Sequence, residues 1–298
     1  MARHRPAMGD LILVAGCTGV LGRHVVKLLQ ARGHRVRALT RDKSRLGSLG
    51  FTPDEVHEAD ALDPARLTGA CDGVTRVFSC LGASVQPLPR LGRATFSQVD
   101  WPANRNLVDE AKRAGVSRMV YVSVHGGQQA RGLDYMDAHE RVVEHLQASG
   151  LDHGVVRPTG FFSALESLLE MAQGGTAPLM GGGTTRSNPI HDEELAAACV
   201  EMVEGREREV EVGGPEVLTR KQMVELAFAA LGKPPKFRHV PLGVARMGST
   251  LMKPFHPRLA DLGLFYAYLH AHDGVAPLRG QKTLGNHLKE RARARGLA

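Results

Sequence analysis

The chain has 298 residues, 43% of them hydrophobic and 23% charged. That is enough apolar material for a large buried core, and it excludes a disordered or fibrous protein. Net charge is +7, much of it local: from Arg279 to the end there are six Lys or Arg against one Glu. That tail has no interleaved aromatics and no nucleic-acid motif, so a solvated helix end is expected and a nucleic-acid partner is not.

The opening MARHRPAMGD carries charge but no apolar segment, so it reads as a disordered basic tail over residues 1–9 rather than a signal peptide. No apolar run approaches the roughly 20 residues a membrane span needs. Leu11–Ala15 then reads as a buried strand and Val20–Ala31 as a helix, with Leu21, Val25, Leu28 and Leu29 on its apolar face. Further strands are predicted at Arg35–Thr40, Glu55–Glu58, Val74–Cys80, Arg118–Val124 and Asp152–Arg157. Helical stretches fall near 64–70, 102–114 and 136–149, the last stopped by glycine in QASG. Near-continuous apolar strands alternating with helices predict an α/β fold, a parallel sheet covered on both faces.

After Arg157 the pattern changes. Gly174–Gly183 reads as a loop. A helix near 191–204, a strand and turn in REVEVGGPE, a helix capped by Thr219 and a short strand in FRHVP follow. These pieces are too few for an independent domain. They predict a smaller C-terminal lobe over 174–298, folded onto and interleaved with a main domain over 10–173.

Between the first strand and helix lies GCTGVLG, with Gly16, Gly19 and Gly22 at three-residue spacing. Glycines there permit a tight turn and close approach to a pyrophosphate, and the helix start offers free N–H groups to the same anion. Thr18 adds a hydroxyl, and Val20 and Leu21 open the helix. A bare strand–helix turn is the alternative. The four cysteines (Cys17, Cys71, Cys80 and Cys199) have neither metal nor disulfide spacing. They read as buried thiols suited to a reducing cytosol. No HExxH or clustered ligand set appears, so no metal is expected.

VAGCTGVLGRHVV resembles the GATGxxGxxVV of the short-chain dehydrogenase/reductase superfamily, in its atypical, NmrA-like branch, with Cys17 in place of the usual alanine. EADALDP, NLVDEAKRAGVSRMVYVS, ASGLDHGVVRPTGFF and NPIHDEELA resemble later landmarks of that branch, and the resemblance covers about residues 10–245. It implies a Rossmann-type, doubly wound parallel sheet that binds a nicotinamide dinucleotide. It also implies Asp60 and Ala61 beside the adenine and Gly82 against the cofactor. The Arg157-Pro158 junction would then lead into a loop by the nicotinamide.

The second strand ends ALTRDKSRL. Arg41, Lys43 and Arg45 suit the 2′-phosphate of NADP, while Asp42 is the one candidate acid for the ribose of NAD. Three bases against one acid favour NADP. Reductases of the superfamily use a Ser, and a Tyr and Lys four apart on one helix face. Here Ser123 is followed twelve residues later by Tyr135, but His139 stands where the lysine is expected. A neutral imidazole still bonds a ribose hydroxyl but supplies little positive field.

Two functions stay open on this reading, with a nucleoside-sugar epimerase, which normally wants NAD and an intact Tyr/Lys pair, as a weaker third. One is an NADP-dependent oxidoreductase acting on a small carbonyl or activated alkene. The other is a non-catalytic NADP-sensing regulator of NmrA-like type. Phe161 and Phe162 suit a substrate wall or the core. Met247, Leu251, Met252 and Phe255 suit an apolar substrate or a packing stripe.

Overall fold

The computed structural model describes residues 9–85 and 92–297. Residues 1–8 of the expected basic tail lie outside the described residues. The chain runs β1 (Leu11–Ala15), α1 (Val20–Ala31), β2 (Arg35–Thr40), β3 (Glu55–Glu58), α2 (Pro64–Leu67), β4 (Arg76–Ser79), α3 (Phe96–Arg113), β5 (Arg118–Val122), α4 (Asp134–Ala148) and β6 (Asp152–Pro158). It continues through α5 (Phe162–Leu165), α6 (Ser167–Gln173), β7 (Ala177–Met180), β8 (Arg186–Ser187), α7 (Asp192–Glu204), β9 (Glu209–Val212) and β10 (Leu218–Thr219). Then come α8 (Arg220–Ala230), β11 (Phe237–Val240), α9 (Leu242–Met252), α10 (Pro257–Leu269) and α11 (Leu284–Ala294).

Seven strands form one sheet in the order β3-β2-β1-β4-β5-β6-β9, and every pairing is parallel. Alternate residues of each strand serve opposite faces, as pleating requires. Ile12 and Val14 join Val25 and Leu29 of α1 and Leu195 and Cys199 of α7 in one core. Leu11 and Leu13 join Leu107 and Val108 of α3 and Val142 and Leu146 of α4 in the other. The doubly wound fold expected from the alternating pattern is therefore the fold observed. The strand order reverses between β1 and β4, which opens a crevice at their carboxyl ends, the usual ligand site of such sheets.

The C-terminal part contributes to this sheet and also builds its own layer. β9 extends the sheet beside β6, and α7 covers one face. A third core gathers Leu169, Met223, Phe228 and Leu288 from α6, α8 and α11. The stretch Gly174–Gly183, expected to be a loop, contains β7, which pairs in parallel with β11. Its partner lies about sixty residues along the chain, so local sequence gives no periodicity to signal it. Among the described residues, no helix is long and apolar enough to cross a membrane, and no cluster of His, Cys, Asp and Glu could hold a metal.

Candidate dinucleotide and substrate site

The turn after β1 is built for close approach. Gly16 takes φ +90°, a conformation that side chains oppose, and a Cβ there would lie 2.8 Å from the Cys80 carbonyl oxygen. A Cβ on Gly22 would lie 2.2 Å from the Gly16 carbonyl oxygen, so α1 can press against the loop only through a glycine. Gly19 caps α1 with no side-chain hydrogen bond, and the first turn holds no acid. The leading N–H groups and the positive end of the helix dipole are thus left for an anion.

Three cavities that share lining residues run along the strand ends. The first, about 310 Å³, is walled by Gly16, Thr18, Gly19, Arg41, Asp60 and Gly82, with Ala61 beside them. The second, about 270 Å³, takes Gly19, Gly22 and Gly82 onward to Ser123, Tyr135 and His139, with Val20 and Leu21 on its wall. The third, about 290 Å³, keeps Ser123 and Tyr135 and adds Pro158, Phe161, Phe265 and Tyr266. A larger cleft of about 750 Å³ lies between α1, α6, α7 and α11 and shares Val20 and Ser163 with the second cavity. Its Glu166 is already paired with His287, Arg291 and Arg295.

At the end of β2 Asp42 stays on the cavity wall beside Arg41 and Arg45, but its carboxyl has local partners. Asp42 caps a short 3₁₀ turn, accepting from the Ser44 N–H at 2.9 Å and the Ser44 hydroxyl at 2.6 Å. Those bonds hold its carboxyl below its usual pKa. Arg41 is exposed, and among the described residues no carboxylate lies within ion-pair distance of it. Arg45 joins it on the cavity wall. Lys43 instead pairs with Glu58 at 3.4 Å and does not reach the cavity. The Asp60 carboxylate accepts from the Leu62 N–H at 3.0 Å.

Tyr135 and His139 share one face of α4, with ring centroids 4.6 Å apart. His139 Nδ1 lies 2.6 Å from the Tyr121 hydroxyl of β5. Burial, reinforced by the Arg157 guanidinium, pushes the His139 pKa down to about 3, so the ring is neutral at pH 7. With Tyr121 donating to Nδ1, the other nitrogen carries the hydrogen and is the one left for a ligand. Burial also pushes the Tyr135 phenol up, helped by Asp100 and Tyr266 and opposed by Arg258. Tyr135 therefore stays protonated. Cys80, between the first two cavities, is pushed up to about 12 by burial and is no nucleophile.

Arg157, expected beside the cofactor, is placed behind the site. It is buried, donates to Glu209 at 2.8 Å and to Glu140 at 3.2 Å, and reaches the Ser123 hydroxyl oxygen at 3.3 Å. A guanidinium out of water must be paired, and Glu140 and Glu209 do this within the protein. Its place in the site is to hold Ser123. The two phenylalanines divide: Phe162 is core, while Phe161 lines a cavity. Met247, Leu251, Met252 and Phe255 neither pack inward nor reach the site, being 59%, 66%, 39% and 72% exposed. The C-terminal wall is supplied by Phe265, Tyr266, Tyr268 and Leu269 of α10. The aromatic cluster FYAYL was the available signal for this wall.

Asp100 also went unread in the sequence. It is buried on the wall of the first cavity, accepts from the Ala83 N–H at 2.8 Å through Oδ1, and among the described residues has no partner for Oδ2. Burial raises its pKa to about 7 against the opposing pull of the Ala83 N–H and Arg258.

A glycine turn at the reversal of a parallel sheet, opening a helix whose N–H groups are free, defines a dinucleotide-binding protein of the Rossmann type. The chain belongs to the NAD(P)H-binding family, whose sequence profile matches residues 16–206. That match and the parallel-sheet fold are consistent with the resemblance to the atypical, NmrA-like short-chain dehydrogenases/reductases read from the sequence. The chain is similar to the chloroplastic divinyl chlorophyllide a 8-vinyl-reductase of Zea mays, 30% identical over 81% of this chain and 64% of that protein. The same enzyme of Oryza sativa is 32% identical over 78% of this chain and 62% of its own length. The chain thus spans less than two thirds of these relatives. In fold it resembles the NADPH-bound quinone oxidoreductase QOR2 of Escherichia coli (TM-score 0.72, 20% identity, 94% of this chain and 99% of that one). The Citrobacter triphenylmethane reductase is comparable (TM-score 0.73, 17% identity, 95% and 99%).

Proposed function

We propose that the protein is an NADP(H)-dependent reductase that delivers hydride to a small, apolar carbonyl or activated alkene. The observation that carries this reading is the row of three cavities with shared walls. One trough leads from Arg41, past the glycine turn, to Ser123, Tyr135 and His139, and ends among aromatic side chains. The turn and the acid-free start of α1 fit a pyrophosphate. The unpaired Arg41 fits a 2′-phosphate, because Asp42 is committed to its cap.

Reduction needs a hydride, which bound NADPH would supply, and a proton. Tyr135 is the proton donor, since it stays protonated beside the cleft. The Ser123 hydroxyl, held by Arg157, orients a substrate oxygen. His139 offers its remaining nitrogen to a ribose hydroxyl, a role that needs no charge. Giving up that proton leaves a phenolate with no lysine at position 139 to stabilise it; Arg258, which pulls the Tyr135 pKa down, is the cation that acts on it, and solvent returns the proton after turnover. The vinyl-reductase names of the sequence relatives support the alkene half of the substrate class. The aromatic third cavity supports an apolar ring.

The test is a fluorescence titration with NADPH and NADH, then NADPH consumption against quinones, enones and aldehydes. Tyr135→Phe is expected to lower turnover by about a hundredfold or more with NADPH affinity unchanged. Full turnover in that variant would remove Tyr135 as the donor. Tight NADPH binding with no consumption across the panel would favour a cofactor-sensing regulator instead.

A further inference from the structure

Helix α9 departs from the pattern of the other long helices, since none of its residues is buried. Leu242, Ala245 and Ser249 turn partly inward, and Ser249 meets α10 at Gly263, where a Cβ would lie 2.1 Å from the serine hydroxyl. On another side Val244, Met247, Leu251 and, just past the helix end, Phe255 recur at spacings of three, four and four. At 3.6 residues per turn these positions fall within an arc of roughly 80°. They are 53%, 59%, 66% and 72% exposed. This is an apolar stripe facing out, where a surface helix ordinarily carries polar residues.

The stretch of chain that carries the stripe is one-sided in charge. From Lys233 to His256 the chain holds Lys233, Lys236, Arg238, Arg246 and Lys253, and no Asp or Glu. Lys253 has Asp261 of α10 at 3.6 Å. Arg238 and Arg246 are exposed and, among the described residues, have no carboxylate within ion-pair distance.

We propose that this face docks on an anionic lipid bilayer, with α9 lying in the interfacial plane. The apolar stripe would enter the headgroup–acyl boundary while the acid-free cationic stretch pairs with lipid phosphates. A second copy of the chain is a poorer occupant, because a symmetric contact would set two cationic stretches against each other. Docking would also bring the bilayer to one helix from the substrate cavity, since α9 packs on α10, whose Phe265 and Tyr266 wall it.

The experiment is vesicle flotation of the full chain, with phosphatidylcholine alone and with phosphatidylglycerol added. Binding is expected with the anionic vesicles only, and is expected to weaken with added salt. The triple variant Met247→Gln, Leu251→Gln, Phe255→Ser should bind at least about tenfold more weakly. Arg246→Gln should bind about fivefold more weakly. NADPH titration of the variants checks that they are folded, as none of these residues lines the dinucleotide trough. No flotation of the wild type, or equal flotation by the triple variant, overturns the proposal. So does a solution dimer that the triple variant converts to monomer, which would make the stripe a subunit interface.

Discussion

Asp100 converts a structural detail into a measurable pH dependence. Its Oδ2 is buried with no hydrogen-bond partner among the described residues, and Arg258, the cation that pulls its pKa down, spends its Nη atoms on backbone carbonyls. Arg258 donates to the Ser84 carbonyl at 2.8 Å and stacks on the Phe96 ring with its guanidinium carbon 3.5 Å from the centroid. The Asp100 pKa therefore rises from 3.8 to about 7 on folding. Below pH 3.8 the group is neutral in both states and costs nothing. Between pH 3.8 and 7 the unfolded chain releases its proton while the folded chain keeps it, so stability falls as pH rises. Above pH 7 both states are ionised and the loss is constant.

A shift of about three units at about 1.4 kcal/mol each makes the total loss about 4 kcal/mol. Asp100→Asn cannot ionise and retains an acceptor for the Ala83 N–H. Urea unfolding of both proteins from pH 4 to pH 8 isolates the effect, because other titrating groups cancel in the difference. The variant should match the wild type near pH 4 and exceed it by about 4 kcal/mol at pH 8. A difference that does not change with pH would refute the buried, unpaired carboxyl. A wild type that gains on the variant as pH rises would show the carboxylate to be well paired.

Two further substitutions test the dinucleotide end. Arg41→Ala should weaken NADPH by about tenfold or more and leave NADH nearly unchanged, read by fluorescence titration; equal losses would remove Arg41 from the 2′-phosphate. Gly22→Ala places a methyl against the Gly16 carbonyl, so unfolding free energy should fall by about 1–3 kcal/mol and affinity for both dinucleotides should fall with it. An unchanged stability would show that the helix and loop are not in contact.

What sequence alone determined here follows from local chemistry. The period of the apolar residues set the order of strands and helices through β6, because buried parallel strands and amphipathic helices differ over a few residues. The glycine turn was legible because the backbone there admits no other residue at Gly16 or Gly22. Ser123, Tyr135 and His139 were named through the resemblance to the short-chain reductases, and the fold brings all three to the wall of one cavity. Tertiary structure decided what depends on neighbours distant in the chain. It gave Asp42 to a cap and left Arg41 without a carboxylate partner among the described residues, and it set Arg157 between Glu140 and Glu209 and off the walls of the three cavities. It paired β7 with a strand sixty residues on, and drew the substrate wall from α10. It also left the stripe of α9 facing outward, although an inward packing stripe has the same spacing. Periodicity fixes which residues share a face; only packing decides what that face meets.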